Sequence, residues 1–168
     1  MERDAEFTAY VNERSASLRR YAYLLTGSSA SADDLLQESL VKVYRRWEHL
    51  DPEGLDPYVR TVIARTHVSV WRRVGRRETP VDALVDVPGV DPADDVVRRD
   101  EVWRVLETLG PRQRAVIVLR FWSDLPEAEI ARTLDCTVGT VKSQLHRALA
   151  RLRAALPADT TVELGGVK

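Results

Sequence analysis

The sequence predicts an all-α protein, with two small helical domains joined by a flexible acidic linker. Apolar residues recur at spacings of three and four along most of the chain, which is the period of helices packed on one face. Segments rich in proline, glycine and aspartate separate these stretches and end the helices. Basic and acidic residues are segregated along the chain, so we expect distinct functional modules.

The composition excludes several classes of protein. The chain has 168 residues, of which 44% are hydrophobic, enough for one or two folded domains. Its single cysteine, Cys136, forms neither an intrachain disulfide nor a cysteine-based zinc site, and we expect a buried thiol. The sequence lacks a membrane span and a signal peptide, so we expect a cytoplasmic protein without membrane insertion. Without a nucleophile–base pair, metal-ligand spacing or phosphate-binding glycine loop, we expect no enzyme activity and no cofactor.

Apolar stripes and end signals predict the first two helices. Helix one carries apolar residues from Phe7 to Leu25, and Gly27 supplies its C-terminal stop. Ser31 and Asp34 have the spacing of a capping box, which places the start of helix two at Ser31. The inward stripe of helix two is Leu36, Leu40, Val43 and Trp47.

The opposite face of helix two has two interpretations. It consists of Asp34, Gln37, Glu38, Val41 and Arg45. A polar face around one apolar residue is either a solvated surface or a docking site for another protein. Composition alone favours the solvated surface.

A constrained loop is predicted between the second and third helices. Residues 49–57 contain two Asp-Pro pairs and a glycine, which break a helix. We expect Asp56 to cap the third helix, with Pro57 at its first position. The buried stripe of the third helix is then Val59, Ile63, Thr66, Val70 and Val74.

The third helix combines a basic face with an aromatic flank. From residue 55 to 77, six arginines meet one acid, a net charge of +5. The shared face is Arg65, Ser69, Arg72 and Arg76. A protein that reads unpaired DNA needs arginines for phosphates and aromatic rings for unstacked bases. The alternative is that the rings complete the core, which we favour for Tyr58 and leave open for Trp71.

An acidic linker is predicted to join the two domains. Residues 79–97 are rich in proline, glycine and aspartate and have no helical period. Residues 81–101 carry seven acids and two arginines, a charge of −5 that opposes binding to phosphates. A fully extended linker spans about 60 Å, so the domains can reach separate sites on one duplex. The predicted domains are 1–78 and 98–157, followed by a short tail at 158–168.

The second domain is predicted to contain four helices, of which the last two form a helix-turn-helix. The two supporting helices carry Val102, Leu106, Leu109, Ala115, Val116, Leu119 and Trp122 on either side of a Gly110-Pro111 break. Asp124 and Glu127 have capping-box spacing for the next helix, with Pro126 at an early helical position. Asp135 falls at the turn, where a left-handed residue is needed, and Thr137 is the expected N-cap of the last helix.

The last helix has an apolar stripe and a basic outer surface. The stripe is Val141, Leu145, Ala148, Leu152 and Leu156. From residue 138 to 156 the helix carries four basic residues and no acid, a charge of +4 that suits contact with phosphates. Within the helix-turn-helix at 126–147, the residues expected to face a DNA groove are Thr140, Lys142, Ser143, His146 and Arg147. The alternative is a solvated helix hairpin, but the spacing favours DNA binding.

Three strings along the chain resemble a known family. They are DLLQESLVKVYRRW at 34–47, LGPRQRAVIVLRFW at 109–122 and VGTVKSQLHRALARLR at 138–153. Together with the order of the helices, they are similar to bacterial sigma factors of the sigma-70 family, extracytoplasmic-function (ECF) type. The resemblance covers nearly the whole chain and implies a region 2 helical bundle followed by a region 4 helix-turn-helix.

The resemblance also implies a role for each surface. In this family, region 2 docks on core RNA polymerase and opens the −10 promoter element, and region 4 reads the −35 element. The implied polymerase-docking residues are Asp34, Leu35, Gln37 and Glu38, and the loop at 49–57 is implied to receive a flipped promoter base. The implied −10 contacts are Arg65, Trp71, Arg72, Arg73 and Arg76. The implied −35 contacts are Thr140, Lys142, Ser143, His146 and Arg147, and the implied partners are core RNA polymerase, promoter DNA and an anti-sigma protein.

A stand-alone regulator is the alternative from a different class of protein. In that hypothesis the helix-turn-helix binds duplex DNA without polymerase, and the first domain serves for dimerisation or sensing. A sigma factor instead binds promoters poorly on its own and gains specificity when core polymerase positions both domains. Binding of the free protein to duplex DNA therefore separates the two hypotheses.

Overall fold

The computed structural model describes residues 2–75 and 101–155, and these residues form helices and short connections. The chain divides into two units, Met1–Thr79 and Pro80–Lys168. The predicted linker, the predicted tail, Arg76 and Leu156 lie outside the described residues. None of the helices in the described ranges is both long enough and apolar enough to span a membrane.

Residues 2–75 of the first unit form a bundle of three helices. They are α1 (Glu2–Thr26), α2 (Ser29–Tyr44) and α3 (Leu55–Gly75), with short 3-10 turns at Trp47–His49 and Pro52–Gly54. Each of the three helices packs against the other two. Their largest fully buried side chains are Leu18, Leu25, Val43, Val59 and Ile63. Parts of the predicted stripes therefore face one shared core, whereas Leu40 and Trp47 of the predicted α2 stripe are half-buried and Trp47 lies beyond the end of α2.

The end of α1 and the start of α2 are separated by a sharp turn. Gly27 has a φ of 75°, a left-handed conformation that glycine adopts without steric cost, so its predicted role as a helix stop is confirmed. The predicted capping box at Ser31 and Asp34 is wrong. Ser28 is the N-cap, and its hydroxyl oxygen accepts from the Ser31 amide at 3.4 Å. The backbone of Ser28 is extended after the turn, and α2 begins at the next residue, Ser29.

The start of α3 also differs from the prediction. Asp56 is not an N-cap, because the helix already begins at Leu55. Leu55 follows the 3-10 turn at Pro52–Gly54 with helical backbone angles, so the turn continues directly into the helix. This leaves the Asp56 carboxylate available for a contact with α1.

The buried stripe of α3 is shorter than predicted. Val59, Ile63 and Thr66 are buried as expected, whereas Val70 is 39% exposed. A helical period identifies one face of a helix, but the length over which neighbours cover that face depends on the bundle. Val70 therefore contributes to a surface and not to the core.

The described part of the second unit, residues 101–155, contains four helices. They are α4 (Glu101–Leu106), α5 (Pro111–Phe121), α6 (Glu127–Leu134) and α7 (Val138–Ala155). The last helix packs against each of the other three. α5 supplies the centre of the core, where Val116, Ile117, Val118 and Leu119 are almost fully buried. Trp122, predicted to line this helix, is only half-buried.

The start of α6 corrects a further prediction. Asp124 does not cap this helix, since Pro126 occupies the N-cap position. Asp124 has a φ of 49° in the turn that ends α5, and its carboxylate lies 3.8 Å from the Arg120 guanidinium. The left-handed turn uses Asp124 to leave α5, so its side chain does not reach the start of α6.

A buried arginine connects α4 to α5. Arg114 is 6% exposed, and its guanidinium donates to the carbonyl oxygens of Leu106 at 3.2 Å and Leu109 at 3.1 Å. The same guanidinium lies 4.8 Å from the centre of the Trp103 ring. The Leu106 carbonyl, at the end of α4, also accepts from the Leu109 amide at 3.1 Å, so Arg114 is a second donor there and ties the end of α4 to α5.

Replacing Arg114 with methionine is expected to destabilise the second unit by about 1–3 kcal/mol, because the substitution removes both hydrogen bonds of the buried guanidinium and takes the Arg114 donor away from the Leu109 carbonyl. The measurement is hydrogen exchange of α4 and α5 amides in the full chain, with Arg112→Met as the matched control. Arg112 is exposed, so its substitution should change protection by less than about 0.5 kcal/mol. Equal effects of the two substitutions would contradict a special role for Arg114.

Candidate nucleic-acid interface

The turn between α6 and α7 has the predicted geometry. Asp135 adopts a left-handed conformation, with φ 49° and ψ 58°. The next amide, that of Cys136, donates to the Ala131 carbonyl at 3.0 Å. Thr137 caps α7 by accepting from the Thr140 amide at 3.1 Å. The predictions for Asp135 and Thr137 are confirmed, whereas Cys136 is half-buried and not fully buried.

Apolar packing fixes α7 against the rest of the unit. The buried side chains on the two helices of the motif are Ile130, Ala131, Leu134, Val141, Ala148 and Leu152. Leu145, also predicted to face inward, is only half-buried. Because the inward face of α7 is set by these contacts, the residues on its opposite side are set as well.

The outer surface of α7 carries the predicted DNA contacts. Lys142, Ser143, His146 and Arg147 are exposed, and Thr140 is half-buried. The Ser143 hydroxyl donates to the Thr140 carbonyl at 2.9 Å, so it presents its oxygen outward as an acceptor. The lysine and arginine supply positive charge, and the serine and histidine supply polar groups that can contact base edges.

An acidic residue of α6 lies next to this surface. The Lys142 ammonium is 3.8 Å from a Glu127 carboxylate oxygen, and the lysine side chain is 64% exposed. Exposed ion pairs contribute at most about 1 kcal/mol. A phosphate can therefore replace Glu127 as the partner of Lys142.

One apolar residue on this surface was not among the predicted contacts. Val138, the first residue of α7, is 39% exposed. It precedes the apolar stripe by three residues, so the helical period indicates burial and gives no signal of its exposure. The N-terminal end of a recognition helix lies nearest the bases, which places an exposed methyl pair there.

The predicted −10 contacts on α3 fall into two groups. Arg65 is exposed beside the buried Thr66. Trp71, Arg72 and Arg73 lie on the helical backbone of α3. The exposed Val70 adds an apolar group to the same stretch of α3, a feature that the apolar stripe did not predict.

The predicted docking residues on α2 do not all reach the surface. Asp34 and Gln37 are exposed and Glu38 is half-buried. Leu35 is only 6% exposed, so it belongs to the core and not to a docking surface. Val41, on the same face as the polar residues, is 49% exposed.

A lysine links the docking residues to α3. The Lys42 ammonium donates to Glu38 Oε1 at 2.7 Å and to Thr66 Oγ1 at 3.1 Å. Thr66 is the residue after Arg65. This bridge therefore fixes the side chain of Glu38 and ties α2 to α3 beside the exposed arginine.

Comparison with known families identifies the chain. The sequence profile of Sigma-70 region 2 matches residues 10–77, and that of Sigma-70 region 4 matches residues 99–152. The RNA polymerase sigma-E factor of Streptomyces coelicolor is 41% identical over 154 residues, with 91% of this chain and 87% of that protein covered. The chain belongs to the sigma-70 family and is an ECF sigma factor.

A second relative agrees with this assignment, and two solved structures share the fold. The ECF sigma factor SigL of Mycobacterium tuberculosis is 33% identical, with 88% of this chain and 87% of that protein covered. The fold is shared with sigma factor RpoE of Bartonella quintana, with a TM-score of 0.60, 24% identity, and 92% and 99% of the two chains covered. It is also shared with CnrH, with a TM-score of 0.58, 22% identity, and 94% and 91% covered.

The family fixes the activity of this sigma factor. It binds core RNA polymerase and directs promoter-specific initiation, and it is not an enzyme. The stand-alone regulator is not supported, because the sigma profiles account for the first unit as well as the second.

The left-handed turn at Asp135 predicts a specific stability pattern in this sigma factor. Asp135→Val is expected to destabilise the second unit by about 1–2 kcal/mol, because a β-branched side chain clashes in this conformation. Asp135→Gly should be close to neutral, since glycine adopts the same angles freely. Thermal unfolding of the two variants measures the difference, and equal melting temperatures would contradict the assigned geometry.

Proposed function

We propose that α7 of this sigma factor reads the −35 element through Thr140, Lys142, Ser143, His146 and Arg147. The observation that carries the proposal is the exposure of Lys142, Ser143, His146 and Arg147 on a helix whose opposite side is buried. A helix oriented in this way presents its polar side to the major groove. The left-handed turn and the Thr137 cap hold its N-terminal end in place for the bases.

The −10 element is contacted by α3 and the loop before it. Arg65, Trp71, Arg72, Arg73 and Arg76 are the proposed contacts. Exposure of Arg65 and the basic charge of this segment support the contact with phosphates. The loop at 49–57 receives a base flipped from the stack, and exposure of residues 51–54 leaves it accessible.

Core polymerase docks on the outer face of α2. The proposed contacts are Asp34, Gln37 and Glu38, with the exposed Val41 one turn further along the same face. Polar residues beside an exposed apolar residue are a common composition for a protein interface. The Lys42 bridge holds Glu38 in a fixed position, which lowers the entropy lost on binding.

The organisation and regulation of the chain follow the family. Domains at 1–78 and 98–157 with a linker at 79–97 are supported by the two profiles, which leave residues 78–98 unmatched. The structure of the Bartonella quintana relative contains the anti-sigma factor NepR, which supports an anti-sigma partner for this chain. A cytoplasmic location is proposed because core polymerase and promoter DNA are its ligands.

The experiment that tests the activity is transcription from fragmented genomic DNA of the source organism by core RNA polymerase, with and without the protein. New 5′ ends that share two upstream elements at constant spacing are the expected result. A second sigma factor added to the same core preparation is the positive control. If that control is active and this protein produces no new 5′ ends, the proposed function is wrong.

Arg147→Gln is expected to weaken holoenzyme binding to the mapped promoter. The slope of the logarithm of the binding constant against the logarithm of the salt concentration should fall in magnitude by about one, because one fewer counterion is released. Arg153→Gln is the control on the same helix, since Arg153 lies roughly 120° around the axis from Arg147. Promoter affinity measured across a series of salt concentrations distinguishes the two. Identical slopes for both variants would argue against the assigned face of α7.

Replacing Asp34 and Gln37 together by asparagine and alanine is expected to weaken association with core polymerase by at least about fivefold. Asp33→Asn is the matched control, because Asp33 is also exposed but pairs with Arg19 of α1 at 2.5 Å. Affinity for core enzyme is measured by fluorescence anisotropy, and circular dichroism verifies the fold. Normal affinity of the double variant would remove these residues from the docking surface.

A further inference from the structure

The N-terminal half of α1 contacts the chain on both sides of the loop that precedes α3, at Trp47 before it and at Asp56 in the first turn of α3 after it. The rings of Phe7 and Tyr10 lie 5.1 Å and 5.3 Å from the ring of Trp47, between centroids. The Tyr10 hydroxyl donates to Asp56 Oδ1 at 2.8 Å. One helix, α1, therefore contacts the residues on both sides of the loop.

The contact with Asp56 is well defined chemically. Burial and the neighbouring Asp56 carboxylate raise the pKa of the Tyr10 hydroxyl, so this group remains protonated and acts as the donor. The Arg14 guanidinium, one turn further along α1, lies 3.6 Å from the other carboxylate oxygen of Asp56. Asp56 occupies the first turn of α3, where the helix dipole favours a negative charge.

The bonds within the loop are local. The Leu50 amide donates to the Trp47 carbonyl at 3.1 Å, and the Gly54 amide donates to the Asp51 carbonyl at 3.1 Å. The Glu53 amide donates to the Asp51 carboxylate at 3.0 Å. Bonds between near neighbours fix the shape of a loop, but its position in the bundle depends on contacts made at its ends.

We infer that Tyr10 is a positioning residue for base capture, because its hydroxyl fixes Asp56 and its ring fixes Trp47 at the two ends of the loop. The inference rests on the proposed function of this loop as the receptor of a flipped promoter base. A receptor for a single base needs its groups held within about 0.5 Å. The Tyr10–Asp56 bond supplies this constraint from outside the loop.

Tyr10→Phe tests the inference, because it removes the hydroxyl and retains the ring against Trp47. The expected result is loss of discrimination at one position of the −10 element by about fivefold, the effect of one hydrogen bond. Discrimination is measured as the ratio of initiation rates on the mapped promoter and on each of its single-base −10 and −35 substitutions, at saturating core enzyme. Discrimination at the other positions should stay within twofold of the unchanged protein.

Tyr44→Phe is the matched control. The Tyr44 hydroxyl donates to Asp4, so it also joins a tyrosine to an aspartate in this unit, but the bond ties α2 to α1 and not to the loop. Tyr44→Phe should therefore leave discrimination unchanged at every promoter position. Melting temperature and affinity for core enzyme are measured for both variants and should remain close to those of the unchanged protein.

Asp56→Ala provides a second variant that removes the acceptor. It should reproduce the effect of Tyr10→Phe at the same promoter position, and combining the two substitutions should add little further loss. Independent, additive losses would show that Tyr10 does not act through Asp56 and would overturn the inference.

The remaining outcomes are also decisive. If the unchanged protein initiates normally and Tyr10→Phe alters no −10 position, or alters all −10 and −35 positions equally, Tyr10 has no positioning role at the loop. If the unchanged protein itself does not initiate with active core enzyme, the proposed function fails first, and the inference falls with it. These results are distinguished by the rate of the unchanged protein on the unsubstituted promoter.

Discussion

Burial of one apolar stripe on each helix is the constraint on which both units depend. Helices in proteins owe most of their stability to the packing of an apolar face, so each helix here depends on the burial of its stripe. In α7 the fully buried Val141 and Ala148 fix the rotation of the helix, which leaves Lys142, His146 and Arg147 on the outside. The same contacts that stabilise the unit therefore determine which side chains meet DNA.

Basic and acidic residues are distributed unevenly among the helices, which suits contact with DNA phosphates on some surfaces and with core polymerase on another. The chain has 25 basic and 26 acidic residues, yet α3 carries four arginines and one acid, and α7 carries four basic residues and no acid. The exposed Asp34 and the half-buried Glu38 of α2 lie on the face proposed to dock polymerase. Within this pattern, Glu127 and Glu38 each hold a lysine through an ion pair. The bond from Lys42 to Glu38 is short and is shared with Thr66, so it maintains structure, whereas Lys142 remains largely exposed and available to a phosphate.

Polar contacts between helices fix the relative positions of residues that apolar burial alone, which is non-directional, does not fix. Arg114 of α5 donates to the carbonyl of Leu106 at the end of α4 and to that of Leu109 just beyond it. Tyr10 and Asp56 connect α1 to the start of α3 across 46 positions of sequence. In both cases a side chain of one helix donates a hydrogen bond to a residue at the start or the end of another helix. Such contacts place the functional loop and the supporting helices with an accuracy that non-directional burial does not provide.

The sequence by itself determined the helical class, the apolar stripes, the turn at Asp135 and the cap at Thr137, because these depend on residues within one or two helical turns. Tertiary structure decided where α2, α3 and α6 begin, since several nearby residues satisfy the same capping pattern and the path of the chain selects among them. It also decided that Leu35 is buried and Val70 exposed, because helical period specifies a face and not the extent of its cover. The Tyr10–Asp56 bond joins residues distant in sequence, so only folding brings them together.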